Sequence, residues 1–202
     1  MTAILKVDTI QDTAGNNIIN ESSNTITIGA SGDTVAVPSG GKLTAPGHVL
    51  QVLSTPKTDR FSTSSTSYTD VTGLSVAITP SSSSNKILVM MDVVGGPGNN
   101  VSMFLRLMRD STAIHVATGS VGNRFAATAG AADDPSQQFP LSMTASVLDS
   151  PSSTSQITYK VQMATEASGN TGTCHINRSG EDQDNNQNGY FASSITVMEV
   201  AG

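Results

Sequence analysis

The residues best suited to chemistry in this chain are few, and their spacing works against it. Cys174 and His175 are adjacent, a thiol beside a base. Neighbouring side chains of a strand leave on opposite faces, so the pair does not converge on one atom and Cys174 reads as a buried structural thiol. His48 and His115 complete the histidines, and no two share a metal-ligating spacing such as His-x-x-x-His. A single cysteine excludes an internal disulfide framework and a cysteine-based zinc site. Residues 180–189 form the best cation candidate, because Asp182, Asp184 and Asn186 have the alternate oxygen spacing of a calcium loop. The sixth position is Gln187 instead of glycine and the twelfth is Ser193 instead of glutamate. A solvated turn is the plainer reading, and no metal is assigned.

Other motifs fail for equally concrete reasons. Asp133 and Asp134 sit in a stretch flanked by glycine and proline. Glycoside hydrolysis needs two carboxylates about 5–10 Å apart on a rigid frame, and nothing in the sequence places two there. Tryptophan, the favoured platform for a sugar ring, is absent. Gly95-Gly96-Pro97-Gly98 lacks the Lys-Ser/Thr that phosphate cradling requires and reads as a loop. Asn20-Glu21-Ser22, Asn100-Val101-Ser102 and Asn177-Arg178-Ser179 match the glycosylation sequon, without a secretory signal to give it meaning. No nucleophile elbow or dinucleotide fingerprint occurs. The sequence therefore predicts no enzyme, no catalytic residue and no cofactor.

The elements that would position any site are strands. Of 202 residues, 13% are charged and 4% aromatic, with Ser and Thr interleaved among Val and Ile as all-β chains require. No window carries a helical period. A net charge of −6 with no local Lys/Arg cluster argues against nucleic acid. The longest apolar run, residues 87–91, is far too short to insert in a membrane. Residues 48–202 read as a head of eight to ten strands, a two-sheet sandwich or jelly roll. Within it, residues 86–94 read as a central strand covered on both faces. The stretches 95–100, 119–137 and 166–190 are expected to be exposed loops.

Residues 1–37 have a different texture. Short apolar dashes alternate with turn formers, and Ile10, Ile18, Ile26 and Val35 recur at intervals of 8, 8 and 9 residues. Each unit has too few aliphatics to offset the entropy of ordering it alone. The module is expected either to stack on itself as a solenoid or to interleave with other copies. The candidate interface is Ile4, Leu5, Val7, Ile10, Ile18, Ile19, Ile26, Ile28, Val35 and Val37. Residues 38–47, bracketed by Pro38 and Gly47, read as a linker to the head.

Two stretches carry a resemblance. LKVDTIQDTAGNNIIN followed by TITIGASGDTVAVPSG resembles the N-terminal module of small fibre-like virion proteins of marine tailed bacteriophages. The strand and turn Leu105-Arg106-Leu107-Met108-Arg109-Asp110 and the closing Ser193-Ser194-Ile195-Thr196-Val197-Met198-Glu199-Val200 are similar to the heads attached to that module. Those heads share a pattern with trimeric jelly rolls of the complement C1q and tumour-necrosis-factor type. The resemblance implies a homotrimer on the virion surface, as a tail fibre or a capsid fibre or decoration protein. Such a protein, made in the host cytoplasm, would dock on other virion proteins through residues 1–37 and contact host surface glycan through its head. A lectin-like adhesin is the rival reading. A polysaccharide depolymerase is the third, to be tested at Asp133, Asp134, Asp182 and Asp184.

Overall fold

The computed structural model describes residues 9–11, 13–15, 17–22, 25–29, 31–37, 43, 45–98, 101–119, 122–132, 140–166, 172–181, 186 and 188–202. The chain divides into two compact units, Met1–Leu43 and Thr44–Gly202. Among the described residues every regular element is a strand.

The first unit holds β1 (Thr9–Gln11), β2 (Asn17–Ser22) and β3 (Thr25–Ile28), an antiparallel meander in the order β1-β2-β3. Of the two arrangements the repeat allows, a solenoid or interleaved copies, the single chain does not form the first: its described strands make this meander. Its true cross-strand partners are Ile10, Ile19 and Ile28, rather than the evenly spaced Ile10, Ile18 and Ile26. An antiparallel register pairs residues whose numbers sum to a constant, so equal spacing along the chain is no guide to it.

The second unit is a sandwich of two antiparallel sheets, jelly-roll-like in its strand order. Its strands run β4 (Val49–Lys57), β5 (Phe61–Thr63), β6 (Thr69–Ile78), β7 (Lys86–Gly96) and β8 (Met103–Arg109). They continue as β9 (Thr112–Ile114), β10 (Ala129–Ala131), β11 (Leu141–Asp149), β12 (Ile157–Thr165), β13 (Cys174–Ile176) and β14 (Ser193–Val200). One sheet has the order β4-β14-β7-β13-β5, with β11 on the far side of β7. The other has the order β10-β8-β12-β6, with β9 also paired to β8.

The alternation that made these segments legible as strands also builds the core. Leu74, Ile78, Leu105, Leu107, Tyr159, Val161 and Met163 face inward from one sheet, and Ile87, Val89, Met91, Ile195 and Val197 from the other. All are buried. Residues 69–71 and 74–78, read in the sequence as parts of two dashes, belong to the one strand β6. Between them Gly73 takes a φ of +82°, and the pairing of β12 with β6 shifts register. Only glycine enters that conformation without strain, so a bulge stands where the sequence suggested a break. Pro56 is tolerated in β4 because β4 is an edge strand, paired among the described residues with β14 alone.

The glycine run after residue 94 is not wholly a loop. β7 continues through Gly96, and β13 crosses it so closely that a Cβ on Gly95 would meet the His175 carbonyl oxygen. Gly95→Ala is expected to cost about 2 kcal/mol by forcing β13 away from β7. Thermal unfolding would show this as a fall in Tm of about 4–8 °C, and an unchanged Tm would contradict the close approach.

Candidate assembly surfaces

Ile10, Ile19 and Ile28 are direct cross-strand partners, so three isoleucines form one row across the meander. Ile26 lies two residues before Ile28 and therefore shares its face. The four are 41%, 38%, 57% and 67% exposed in the order Ile10, Ile19, Ile28, Ile26. The alternate register row, Thr9, Asn20 and Thr27, is polar. Covering the exposed part of the four isoleucines is worth about 4 kcal/mol per copy. That is a large share of the stability of a three-stranded sheet, which is marginal by itself. Val35 and Val37 follow outside any strand and are exposed. Ile4, Leu5 and Val7 lie outside the described residues, as does the side chain of Ile18.

The head has an apolar surface that sequence reasoning missed. On the outer face of the β4-β14-β7-β11 sheet, Leu148 pairs with Leu88, Leu88 with Met198 and Met198 with Val52. This puts four apolar side chains in one row across four strands. Met90 adds to it on one flank, and Val200 beside Val49 on the other. Leu148, Val52 and Val49 are each at least half exposed, and Leu88, Met90, Met198 and Val200 are half-buried. The charged residues of the face, Lys86 and Asp92, lie at its two ends. The next row along the strands, Ser54-Thr196-Met90-Ser146, is polar apart from Met90, so the apolar surface is this single row with Met90, Val49 and Val200 beside it. Residues 86–94 are therefore central within their sheet but not covered on both faces by their own chain. The continuous apolar run was the signal; it identified a two-sided strand without saying what covers the second side.

The outer face of the other sheet carries a charged row in the corresponding place. Arg106, Gln162 and Asp70 pair across β8, β12 and β6, and Lys160 lies in the next row beside Ser75.

Polar pins hold these faces in place. Tyr159, fully buried on β12, donates its hydroxyl to Asp149 of β11 at 2.7 Å, and Arg109 Nη1 of β8 contacts both Asp149 oxygens at 2.8 Å. Burial pushes the Tyr159 hydroxyl pKa far up, helped by the Asp149 hydrogen bond. The cluster ties the edge strand β11 to the opposite sheet. At another point Asn177 donates to the carbonyls of Lys57 and Asp59 and accepts from Ser193 at 2.6 Å, joining β4, β13 and β14.

The residues with chemical promise are dispersed. Cys174 is buried in the core with its Sγ 3.8 Å from the Ser102 carbonyl, and burial raises its thiol to about 12. It is a thiol, not a thiolate, at neutral pH. His175 is the next residue of β13, 3.4 Å by Nε2 from Arg178. His48 and His115 belong to other segments. Asp133, Asp134, Asp182 and Asp184 lie outside the described residues. Among the described residues no three His, Cys, Asp or Glu side chains are grouped to hold a metal ion.

No protein-family model matches the chain, and no curated relative matches its sequence. Among solved structures, the chain is similar to the structure of infectious bursal disease virus Gx strain, with 12% identity and a TM-score of 0.39. That match covers 96% of this chain and 50% of the other. The crystal structure of the infectious bursal disease virus VP2 subviral particle matches with 11% identity and a TM-score of 0.29, covering 88% of this chain and 46% of the other. The chain thus spans about half the length of the chains it matches.

Proposed function

We propose that this chain is a structural protein of a bacteriophage virion, a homotrimeric fibre displayed on the particle as a tail fibre or a capsid fibre or decoration protein. The observation that carries self-assembly is the exposed isoleucine row of the meander, Ile10-Ile19-Ile28 with Ile26. A small sheet with an apolar face cannot remain uncovered in water, and a copy of itself is the cover always at hand. The apolar outer face of the head supports the same reading from the other unit. The virion assignment is supported by the resemblance of residues 5–20 and 25–40 to the attachment modules of phage fibres. In this reading residues 1–37 dock on other virion proteins, and the protein has no catalytic role.

Native mass tests it. The full chain is expected at three times its monomer mass, and Ile19→Asp with Ile28→Asp is expected to lower that mass or loosen the assembly on dilution. Two aspartates in the row would be buried unpaired in any packed interface, at several kcal/mol each. A wild-type chain that is monomeric at micromolar concentration would overturn the trimer.

A further inference from the structure

A sheet edge is a row of unpaired N–H and C=O groups, and folded chains blunt it with proline, bulges, charge or brevity. The head blunts its edges in this way, with one exception. β4 carries Pro56 and a register shift against β14 between Glu199 and Val200. β6 carries the bulge at Gly73. β5, β9 and β10 are three residues each. β11 runs for nine residues, Leu141–Asp149, in unbroken register with β7 and, among the described residues, with no other partner. It contains no proline, glycine, lysine or arginine. Its one charge, Asp149, is held by Tyr159 and Arg109. We propose that the free edge of β11 pairs antiparallel with β11 of a second copy, about a twofold axis through Ala145.

The groups on that edge follow from the register. Val94 of β7 donates its N–H to Ser193 Oγ, and its carbonyl accepts the Asn177 N–H at 2.8 Å. Its backbone groups therefore point toward β13 and β14. Successive residues of a strand point their backbone groups in opposite directions, so those of Val89, Met91 and Val93 point at β11. Their partners there are Val147, Ala145 and Met143. The N–H and C=O groups of Ser142, Thr144, Ser146 and Leu148 are left facing outward from the sheet edge. The flank beside them is open too. Ala145 and Val147 point inward yet are only half-buried, whereas Met91 and Val89 opposite them are buried.

The strand is complementary to itself. An antiparallel pairing centred on Ala145 sets Ser142 opposite Leu148 of the second copy and Thr144 opposite Ser146, so each edge N–H meets a carbonyl. Even-numbered residues meet even-numbered ones, which keeps every inward side chain inward. On that side Met143 meets Val147, and Ala145 meets its own counterpart. Asp149 falls opposite Leu141, so no like charges are opposed. A twofold contact closes on two copies. It would link heads of separate threefold assemblies and holds equally for a chain that is otherwise monomeric, so it does not rest on the trimer reading. Hydrogen bonds taken from water contribute little net. The pairing is therefore weak in dilute solution and strengthens where copies are held side by side.

Residue-resolved amide exchange on the full chain tests it. The Thr144 and Ser146 amides are expected to exchange about tenfold more slowly at about millimolar than at about micromolar concentration. A cross-link tests the register. Ala145→Cys would set two thiols across the axis on Cα atoms about 4.5 Å apart, a separation a disulfide spans. Mild oxidation is expected to give a covalent dimer. Adding Thr144→Pro removes an edge N–H and none of the bonds to β7, and is expected to cut the dimer yield about tenfold while melting with its parent. Fast exchange at both concentrations would overturn the proposal. Slow exchange at both would show the edge covered by its own chain and overturn it equally. Protection that rises with concentration without a cross-link, or a yield untouched by the proline, would overturn the pairing of β11 with itself.

Discussion

Glu199→Ala is expected to lower the unfolding free energy by about 3–4 kcal/mol, a loss read directly from denaturant titration. Glu199 is 1% exposed near the end of β14. Its Oε1 accepts from the Ser81 amide at 2.6 Å, the Ser81 hydroxyl at 2.8 Å and Asn85 Nδ2 at 2.6 Å. Its Oε2 accepts from Gln51 Nε2 at 2.6 Å. One carboxylate therefore fastens β4 and the β6–β7 turn to β14. Truncating it removes four hydrogen bonds to a charged acceptor, each worth about 1.5–3 kcal/mol where water cannot replace it, and only Asn85 among the donors is buried.

Glu199 also leaves a signature in pH. Burial alone would raise its pKa, but the hydrogen bonds from Asn85, Gln51 and Ser81 outweigh burial and hold it below the ordinary value of 4.5. A folded pKa below the unfolded one means a stabilising contribution present in full above the unfolded value. It is lost as pH falls through the folded value. Stability of the wild type should decline on acidification below about pH 4.5, with Asp70 adding to the slope for the same reason of sign. Glu199→Gln should flatten this decline while lowering the plateau at neutral pH. Parallel slopes for the two proteins would show that the carboxylate is not the titrating group.

The second large effect concerns assembly. Leu88→Asp with Met198→Asp is expected to weaken self-association by at least about a thousandfold, on the order of 4 kcal/mol, with the melting of the separated chain little changed. Both side chains lie in the middle of the apolar row from Leu148 to Val52, and neither belongs to the core. Sedimentation equilibrium reads the outcome. The apolar row would lie at the centre of such an interface, where an unpaired buried charge costs most. If the charged pair leaves the mass unaltered while the Ile19 and Ile28 variant dissociates, assembly belongs to residues 1–43 alone.

Much of this was legible in the sequence for a physical reason. The period of two in segments such as Ile195, Val197 and their polar neighbours is imposed by the pleat, so strands and their buried faces could be read directly. The bulge at Gly73 and the passage of β7 through Gly95 and Gly96 could not, because glycine signals a special backbone without saying whether it is a turn or a close approach. Pairing was hidden too. Ile19 and Ile28 emerged as partners only from the register, and the row Leu148-Leu88-Met198-Val52 draws on four strands far apart in the chain. The charged row was invisible for the same reason, since Asp70, Arg106 and Gln162 come from three segments.

The position of Cys174 has a practical corollary. The only thiol in the chain is sealed in the core and holds its proton at neutral pH. Maleimides and disulfide reagents attack the thiolate, so the native protein is blank to them without any prior removal of cysteine. A cysteine introduced at Ser111 or Val52 would be the sole reactive handle on the folded chain, and a fluorophore or cross-linker placed there would report on one chosen face.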